Sequence, residues 1–179
     1  VDGREISAGD YSGPAGARAV MRAVGVQAAI LETARGGLLR RGLAVQHAQV
    51  AVVTNVSDDH FGEYGIHDLA GLAAVKLTVA KAIGDAGLLV LNADDEMLVA
   101  QSAHLDCPIG WFAQDDSRPQ LQAAHEQGGA TCGVRDGHLC LSWRGERHDL
   151  GEVAAMPLSF AGRARYNIAN MAAAALAAA

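Results

Sequence analysis

The sequence predicts an α/β fold with a doubly wound, mostly parallel sheet flanked by helices, and a small antiparallel extension near the C-terminal third. Two observations predict it. Short, almost wholly apolar runs alternate with helical segments, which is typical of parallel strands that are buried on both faces. From Gly128 to Phe160 the pattern changes to short runs separated by turn residues, Asp136-Gly137 and Arg144-Gly145-Glu146, which indicates antiparallel hairpins.

Four buried strands are predicted along the first two thirds of the chain. They are Val26 to Leu31, Val50 to Val53, Gly87 to Leu91 and Pro108 to Phe112. The first strand is followed by Glu32-Thr33, the second by Thr54-Asn55, and the third by Asn92 to Asp95. Because the carboxyl ends of parallel strands meet at one edge of a sheet, these polar clusters are expected to converge there.

Helices are predicted between these strands and at the end of the chain. Gly13-Pro14 opens the first, since proline is tolerated in the first turn, and Asp94 or Asp95 could cap a later one. The predicted helical segments are Ala15 to Val24, Leu38 to Gly42, about His67 to Ile83, the stretch that runs to Ala103, and the Ala-rich Asn167 to Ala179.

Composition limits the class of protein. The chain has 179 residues, half of them apolar, and a net charge of −6, which fits a single domain with one substantial core. It has no run of 18 apolar residues, which excludes a transmembrane helix, and no basic cluster of the kind that nucleic-acid binders carry. Its cysteines, Cys107, Cys132 and Cys140, are odd in number and form no CxxC pair, so a reducing, cytoplasmic location is expected.

The ends of the sequence suggest one domain of a longer protein. The chain begins at Val1 rather than Met, and it ends inside the Ala-rich helix. We therefore expect residues 1–179 to be a single domain taken from a larger cytoplasmic protein.

Two residues near predicted strand ends could bind a cation. Glu32 directly follows a strand, where a carboxylate could ligate Mg²⁺ or form an ordinary salt bridge. His60 could ligate a metal or contact a phosphate, with Asp59 orienting the imidazole, or it could belong to a solvated acidic turn. The sequence leaves open which acidic residues face the site, among Asp58, Asp59, Asp94 and Asp95. The remaining histidines are predicted to lie at the surface: His47, His67, His104, His125, His138 and His148.

Other side chains could recognise a substrate. Lys76 lies on an apolar helix face and either extends to the rim or points into the site, where it could bind phosphate or be carbamylated. Arg35 and the Arg40-Arg41 pair could bind an acidic substrate or be solvated. Asn167 and Asn170 could hydrogen-bond a base or cap the last helix. A phosphate-binding loop of the form GxxxxGK[ST] is absent from the 179 residues.

Five stretches of the sequence form a specific combination, although each alone is not specific. They are Leu31 to Gly37, Val53 to His60, Val75-Lys76, Leu91 to Asp95, and Tyr166 to Asn170 with the Ala-rich helix that follows. In order and spacing they resemble the central ATPase domain of the Mur ligase superfamily, over nearly the whole chain. The stretch Ile30 to Leu43 and the lead-in Gly9 to Pro14 are most similar to the Mur-ligase-like part of cyanophycin synthetases.

The resemblance implies an ATP-dependent amide ligase with ATP and Mg²⁺ as cofactors. In this superfamily the central domain binds Mg-ATP and phosphorylates a substrate carboxylate, and an amine then attacks the acyl phosphate. In cyanophycin synthetases the amine is arginine and the carboxylates are the aspartate side chains of cyanophycin. The implied partners are a nucleotide, a carboxylate acceptor such as an aspartate-backbone polymer, and an amino acid such as arginine, without nucleic acid or membrane. A homo-oligomeric parent is compatible with the resemblance.

The resemblance also implies roles in metal binding and catalysis, by position. Glu32 and His60 match the metal-binding residues, and Asp59 would orient His60. Lys76 matches a lysine that is often carbamylated and supports a second cation. Lys76, His60 and Asp59 are therefore the expected catalytic residues.

The resemblance also implies which residues contact the ligands, and the sequence departs from the superfamily pattern in several places. Asn167 and Asn170 match the adenine-side asparagines, Thr33 and Arg35 are expected near the acceptor, and Tyr166 stands where histidine is common. The phosphate-binding loop is expected before residue 1 and the amino-acid-binding domain after residue 179. Residues 1–179 alone are thus expected to lack ligase activity and to bind ATP weakly. The alternatives are another Mur-type ligase, for a peptidoglycan precursor or folylpolyglutamate, and a non-catalytic binding or assembly module.

Overall fold

The computed structural model describes residues 3–5, 8–9, 13–57 and 62–179. Across these residues one six-stranded sheet forms, with the strands in chain order. The strands are β1 (Ala48–Val53), β2 (Ile83–Asn92), β3 (Ile109–Phe112), β4 (Thr131–Arg135), β5 (His138–Trp143) and β6 (Glu146–Glu152). β1 to β4 pair in parallel, and β4 to β6 pair antiparallel, which confirms the predicted fold class.

The described helices lie mostly where they were predicted, with shifted bounds. They are α1 (Pro14–Arg22), α2 (Arg35–Arg41), α3 (Leu69–Lys76), α4 (Glu96–Ser102), α5 (Pro119–Glu126) and α6 (Arg165–Ala178). The long helix predicted before β2 is α3 followed by a 3₁₀ segment, Leu77–Ala82. Helix α5 was not predicted.

Strand β2 shows why the central strands are apolar throughout. Val90 packs in a cluster with Phe112 and with side chains of α6, while Leu89 and Leu91 pack with Leu98 of α4 on the other face. Both faces of the parallel sheet are therefore covered, and each buried aliphatic side chain contributes about 1.5–3 kcal/mol to stability.

The antiparallel extension is built from two tight hairpins. Asp136 and Gly137 connect β4 to β5 with φ values of 51° and 81°, and Arg144 and Gly145 connect β5 to β6 with φ values of 52° and 79°. Two consecutive residues with positive φ define the turn whose twist matches that of paired strands. The predicted hairpins are confirmed.

The predicted strand Val26 to Leu31 is wrong. No regular structure spans residues 23–34, and Ile30 is fully exposed, with a relative exposure of 100%. In the described part of the chain, β1 pairs only with β2, so its other edge has no strand beside it. An apolar run is a strand only when its main-chain groups pair with a neighbouring strand, and residues 26–31 do not pair with this open edge of β1. Glu32 therefore does not lie at a strand end.

Candidate functional site

The carboxyl ends of β1 and β2 meet, as the sequence predicts. The Asn92 side chain, at the end of β2, donates from Nδ2 to the carbonyl of Thr54 at 2.8 Å. Its Oδ1 accepts from the main-chain N–H of Asp94 at 2.9 Å, which fixes the turn that follows. Two of the three polar clusters predicted to converge are thus joined by a direct hydrogen bond.

Two more side chains hold the segment Thr54, Asn55 and Val56, called here the β1 exit. Asp95 Oδ2 accepts from the main-chain N–H of Val56 at 2.5 Å, and Lys76 Nζ donates to the Asn55 carbonyl at 2.8 Å. Asp95 is also the N-cap of α4, because its Oδ1 accepts from Leu98 N–H at 3.0 Å. The β1 exit therefore has a main-chain group bonded to a side chain at each of its three residues.

The Asp94 side chain forms its hydrogen bonds with the loop that follows β3 and not with the β1 exit. Its Oδ2 accepts from the main-chain N–H of Gln114 at 2.7 Å, and its Oδ1 accepts from Nε of Arg118 at 2.7 Å. The Gln114 side chain in turn accepts, through Oε1, from Nε of Arg165 at 2.6 Å. Asp94 thus connects β2 to the loop after β3, and through Gln114 to the first residue of α6.

A cavity of about 360 Å³ opens beside Gln114 and Arg165. Its wall combines these polar side chains with Val134, Val153 and Ile168. The volume lies within the range of small-molecule sites, roughly 300–1,000 Å³. The cavity adjoins the carboxyl ends of β3 and β4, the edge at which open α/β sheets bind ligands.

The two asparagines of α6 differ in their surroundings. Asn167 donates from Nδ2 to the carbonyl of Leu158 at 2.8 Å, and Asn170 is exposed. Neither caps the helix, because Ala164 occupies the N-cap position without a side-chain hydrogen bond. The capping alternative for these asparagines is therefore wrong.

The described residues predicted to bind the acceptor and the metal ion lie before α2 or at its start, and not at the end of a strand. Glu32 and Thr33 are exposed on the irregular segment before α2, and Arg35 is the partly buried first residue of that helix. The predicted residues Asp58, Asp59 and His60 lie outside the described residues.

Lys76 is directed at the site edge rather than at the rim. Its side chain is partly buried, and its amine donates to the carbonyl of Asn55, the middle residue of the β1 exit. Of the two positions that the sequence left open, the structure favours the one near the strand ends. Its modification and catalytic role stay predictions.

The described residues do not by themselves fit a Mg²⁺ site. In this part of the chain no three or more His, Cys, Asp or Glu side chains are grouped so that they could hold a metal ion. Asp94 and Asp95 use their oxygens for the protein bonds described above. The pairing of Glu32 with His60 around Mg²⁺ therefore stays a prediction.

A buried ionic cluster between α5 and β4 was missed by the sequence reasoning. Asp116 is 2% exposed, and its Oδ1 lies 3.0 Å from Nε2 of His125, whose side chain is 14% exposed. Asp116 Oδ2 lies 2.6 Å from Nη2 of Arg135, at an angle that does not make a hydrogen bond. The prediction that His125 is a surface residue is wrong, because its ring lies against Asp116 and against Thr131 of β4.

The three cysteines are free thiols, and burial makes them poor nucleophiles. Burial raises the pKa of Cys132 to about 12, with smaller contributions from Cys140 and Asp116. Burial also raises the pKa of Cys107 and of Cys140. We therefore assign none of these cysteines to the chemistry of the site.

The comparisons with known proteins agree with this architecture. The model of the Mur ligase middle domain matches residues 6–178. The chain is 35% identical over 173 residues to a cyanophycin synthetase of Nostoc sp., covering 97% of this chain and 19% of the relative. Cyanophycin synthetases of Synechocystis sp. and Crocosphaera subtropica are 34% and 31% identical, again over 97% of this chain and 20% of the relative.

The chain spans about a fifth of the length of these relatives. None of the helices described here has the length and hydropathy of a membrane span. The match covers nearly all of the sheet and the helices on both of its faces. The chain belongs to the Mur ligase middle-domain family, a family of ATP-dependent ligases.

Proposed function

We propose that the protein containing this chain is an amide ligase that activates a carboxylate with ATP and joins it to an amino acid. A carboxylate oxygen attacks the γ-phosphorus of ATP and ADP leaves; the amine nitrogen then attacks the acyl carbon, phosphate leaves, and the nitrogen loses a proton. The observation that carries the proposal is the convergence of bonded polar groups at the carboxyl ends of β1, β2 and β3, in a chain of this family.

The substrates we propose are arginine and the aspartate side chains of cyanophycin. Support comes from the relatives, which are cyanophycin synthetases at 31–35% identity. Thr33 and Arg35 are proposed to lie near the acceptor, since a guanidinium matches a carboxylate. Asn167 and Asn170 are proposed to lie near the adenine, because α6 begins at the edge where the cavity opens.

The catalytic residues we propose are Lys76, His60 and Asp59. Lys76 supports this assignment, because its amine lies at the β1 exit, directly before the segment that holds the other two. Glu32 and His60 would hold Mg²⁺, which when bound neutralises phosphate charge. Asp59 would orient the imidazole of His60.

We infer further that the triphosphate is held by a phosphate-binding loop supplied from outside residues 1–179. Among the described residues no strand lies on the outer edge of β1, and this supports the inference, because it leaves room for a further parallel strand beside the site. Residues 1–179 alone are then expected to bind ATP weakly and to lack ligase activity. Tight ATP binding by this chain in calorimetry would contradict the inference.

The test is ADP release by the intact parent protein. We expect release to require both arginine and an aspartate-backbone acceptor, and Glu32→Gln to reduce it strongly. Glu126→Gln is the matched control, since Glu126 is an exposed carboxylate on α5, away from the site edge. ADP release with a peptidoglycan precursor or a folate instead would indicate another Mur-type ligase. Absence of ADP release with every pair would favour the non-catalytic module.

A further inference from the structure

Two adjacent carboxylates just after β2, Asp94 and Asp95, accept hydrogen bonds from different parts of the chain. Asp95 accepts from Val56 in the β1 exit and from Leu98 in α4. Asp94 accepts from Gln114 after β3 and from Arg118 before α5. We propose that Asp94 and Asp95 are positioning residues, each of which sets one half of the active site: Asp95 sets the β1 exit and Asp94 sets the start of α6.

Asp95 joins two segments that are far apart in sequence. One oxygen accepts from Leu98 and the other from Val56, 39 residues earlier in the chain. A charged acceptor makes these bonds stronger than neutral ones. In the sequence the β1 exit is followed closely by Asp59 and His60. Asp95 therefore fixes the backbone at Val56, which precedes this segment in the chain.

Asp94 is connected to the start of α6 through one intermediate residue, Gln114. It holds the main chain of Gln114, and the Gln114 side chain accepts from Arg165 at 2.6 Å. Arg165 is the first residue of α6, which carries the asparagines proposed for the adenine. Asp94 therefore positions the nucleotide side of the site. Its side-chain hydrogen bonds within the described residues go to Gln114 and Arg118 and not to the β1 exit.

The two carboxylates allow a matched perturbation. Each uses both of its oxygens, one per donor, so replacement by asparagine leaves an NH₂ group facing one N–H donor in either case. The variants Asp94→Asn and Asp95→Asn thus lose the same charge at neighbouring positions. Asp95→Asn loses an acceptor for a main-chain N–H, and Asp94→Asn loses an acceptor for the Gln114 N–H or for Nε of Arg118. Any difference in their kinetics reports the half of the site that each residue positions.

The inference rests on the proposed function, so its test uses the intact parent in the ATP-dependent assay. For Asp95→Asn we expect kcat to fall by about 10- to 100-fold with little change in the KM for ATP, because small misplacement of reacting groups has effects of this order. For Asp94→Asn we expect the KM for ATP to rise about tenfold with little change in kcat, the effect of one lost charge-assisted bond.

Controls separate positioning from general loss of structure. Glu96→Gln removes the next carboxylate, exposed in the first turn of α4, and is expected to leave both parameters unchanged. Hydrogen exchange gives a readout independent of turnover: the Val56 amide should exchange faster only in Asp95→Asn, and the Gln114 amide only in Asp94→Asn.

The outcomes distinguish a failure of the positioning roles of Asp94 and Asp95 from a failure of the proposed ligase function. An active wild-type parent whose two variants change kcat and KM in parallel, or not at all, would overturn the division between Asp94 and Asp95 alone. A wild-type parent without ATP-dependent turnover would overturn the proposed function, and the positioning roles with it. Separate kinetic effects together with the separate exchange effects would support the inference.

Discussion

Gly133 in β4 offers a direct test of how closely α5 and its preceding loop pack on the sheet. A Cβ added at Gly133 would lie 2.8 Å from Cδ2 of Leu121, 3.0 Å from Cα of Asp116 and 3.2 Å from Cβ of Asp116. Leu121 is fully buried, and Asp116 is held by the ionic cluster described above. The obstructing atoms therefore include backbone, which cannot move aside as a flexible side chain would.

The expected magnitude follows from two opposing effects. A glycine-to-alanine change usually stabilises by about 0.4–1 kcal/mol through the unfolded chain. Overpacking of a core site costs about 1–3 kcal/mol, and contact with the Asp116 backbone places this site toward the upper end. We expect Gly133→Ala to lower the free energy of unfolding by about 1–2 kcal/mol.

Urea unfolding, followed by circular dichroism, measures this change against two graded controls. Gly84→Ala in β2 meets no atom within 4 Å, so it should be neutral or slightly stabilising. Gly110→Ala in β3 meets the ends of Leu88 and Leu176 at 3.0 and 3.2 Å, so its effect should be intermediate. With a slope of about 1–3 kcal/mol per molar urea, the midpoint for Gly133→Ala should fall by roughly 1 M. A Gly133→Ala protein as stable as Gly84→Ala would refute the reasoning.

Three further predictions concern the core, a thiol and a carboxylate. Leu98→Ala should lower the free energy of unfolding by about 2–5 kcal/mol, since the Leu98 side chain of α4 is fully buried, whereas Leu158→Ala at an exposed position should change it by less than about 0.5 kcal/mol. With its pKa raised to about 12, Cys132 should resist iodoacetamide at pH 8 in the folded chain and react in urea; equal labelling of Cys132 and Cys107 would contradict this. The N–H of Gly151, then His138, lower the pKa of Asp149 below its ordinary value of 3.8. Wild type should therefore be more stable than Asp149→Asn at pH 7, and this difference should disappear as the pH falls through the lowered pKa; a difference that persists in acid would argue against the assignment.

The sequence predicted the central strands well, because burial on both faces demands uniform apolar runs. The same pattern at Val26 to Leu31 failed, because pairing depends on a neighbouring strand and not on the run itself. Helix α5 was missed because its sequence lacks the apolar pattern of a buried helix. Only Leu121 is buried in its eight residues, so the helix has almost no apolar periodicity.

The candidate site was predicted in outline but not in its connections. The meeting of Thr54 with Asn92 follows from the topology of a parallel sheet. The opposite orientations of Asp94 and Asp95 could not be predicted, since two adjacent carboxylates have the same appearance in sequence. His125 was misplaced because its partner Asp116 lies nine residues away, across the helix that was missed.

The two edges of the sheet differ in a way that bears on how the isolated chain behaves at high concentration. β6 carries charged side chains along an exposed strand, including Glu146, Arg147 and Asp149, and such charges discourage pairing with another molecule. β1 has no charged residue, no strand pairs with its outer edge in the part of the chain that the structure describes, and Val52 in this strand is 41% exposed. Any edge-to-edge self-association of residues 1–179 should therefore proceed through β1, and Val52→Lys is expected to reduce it.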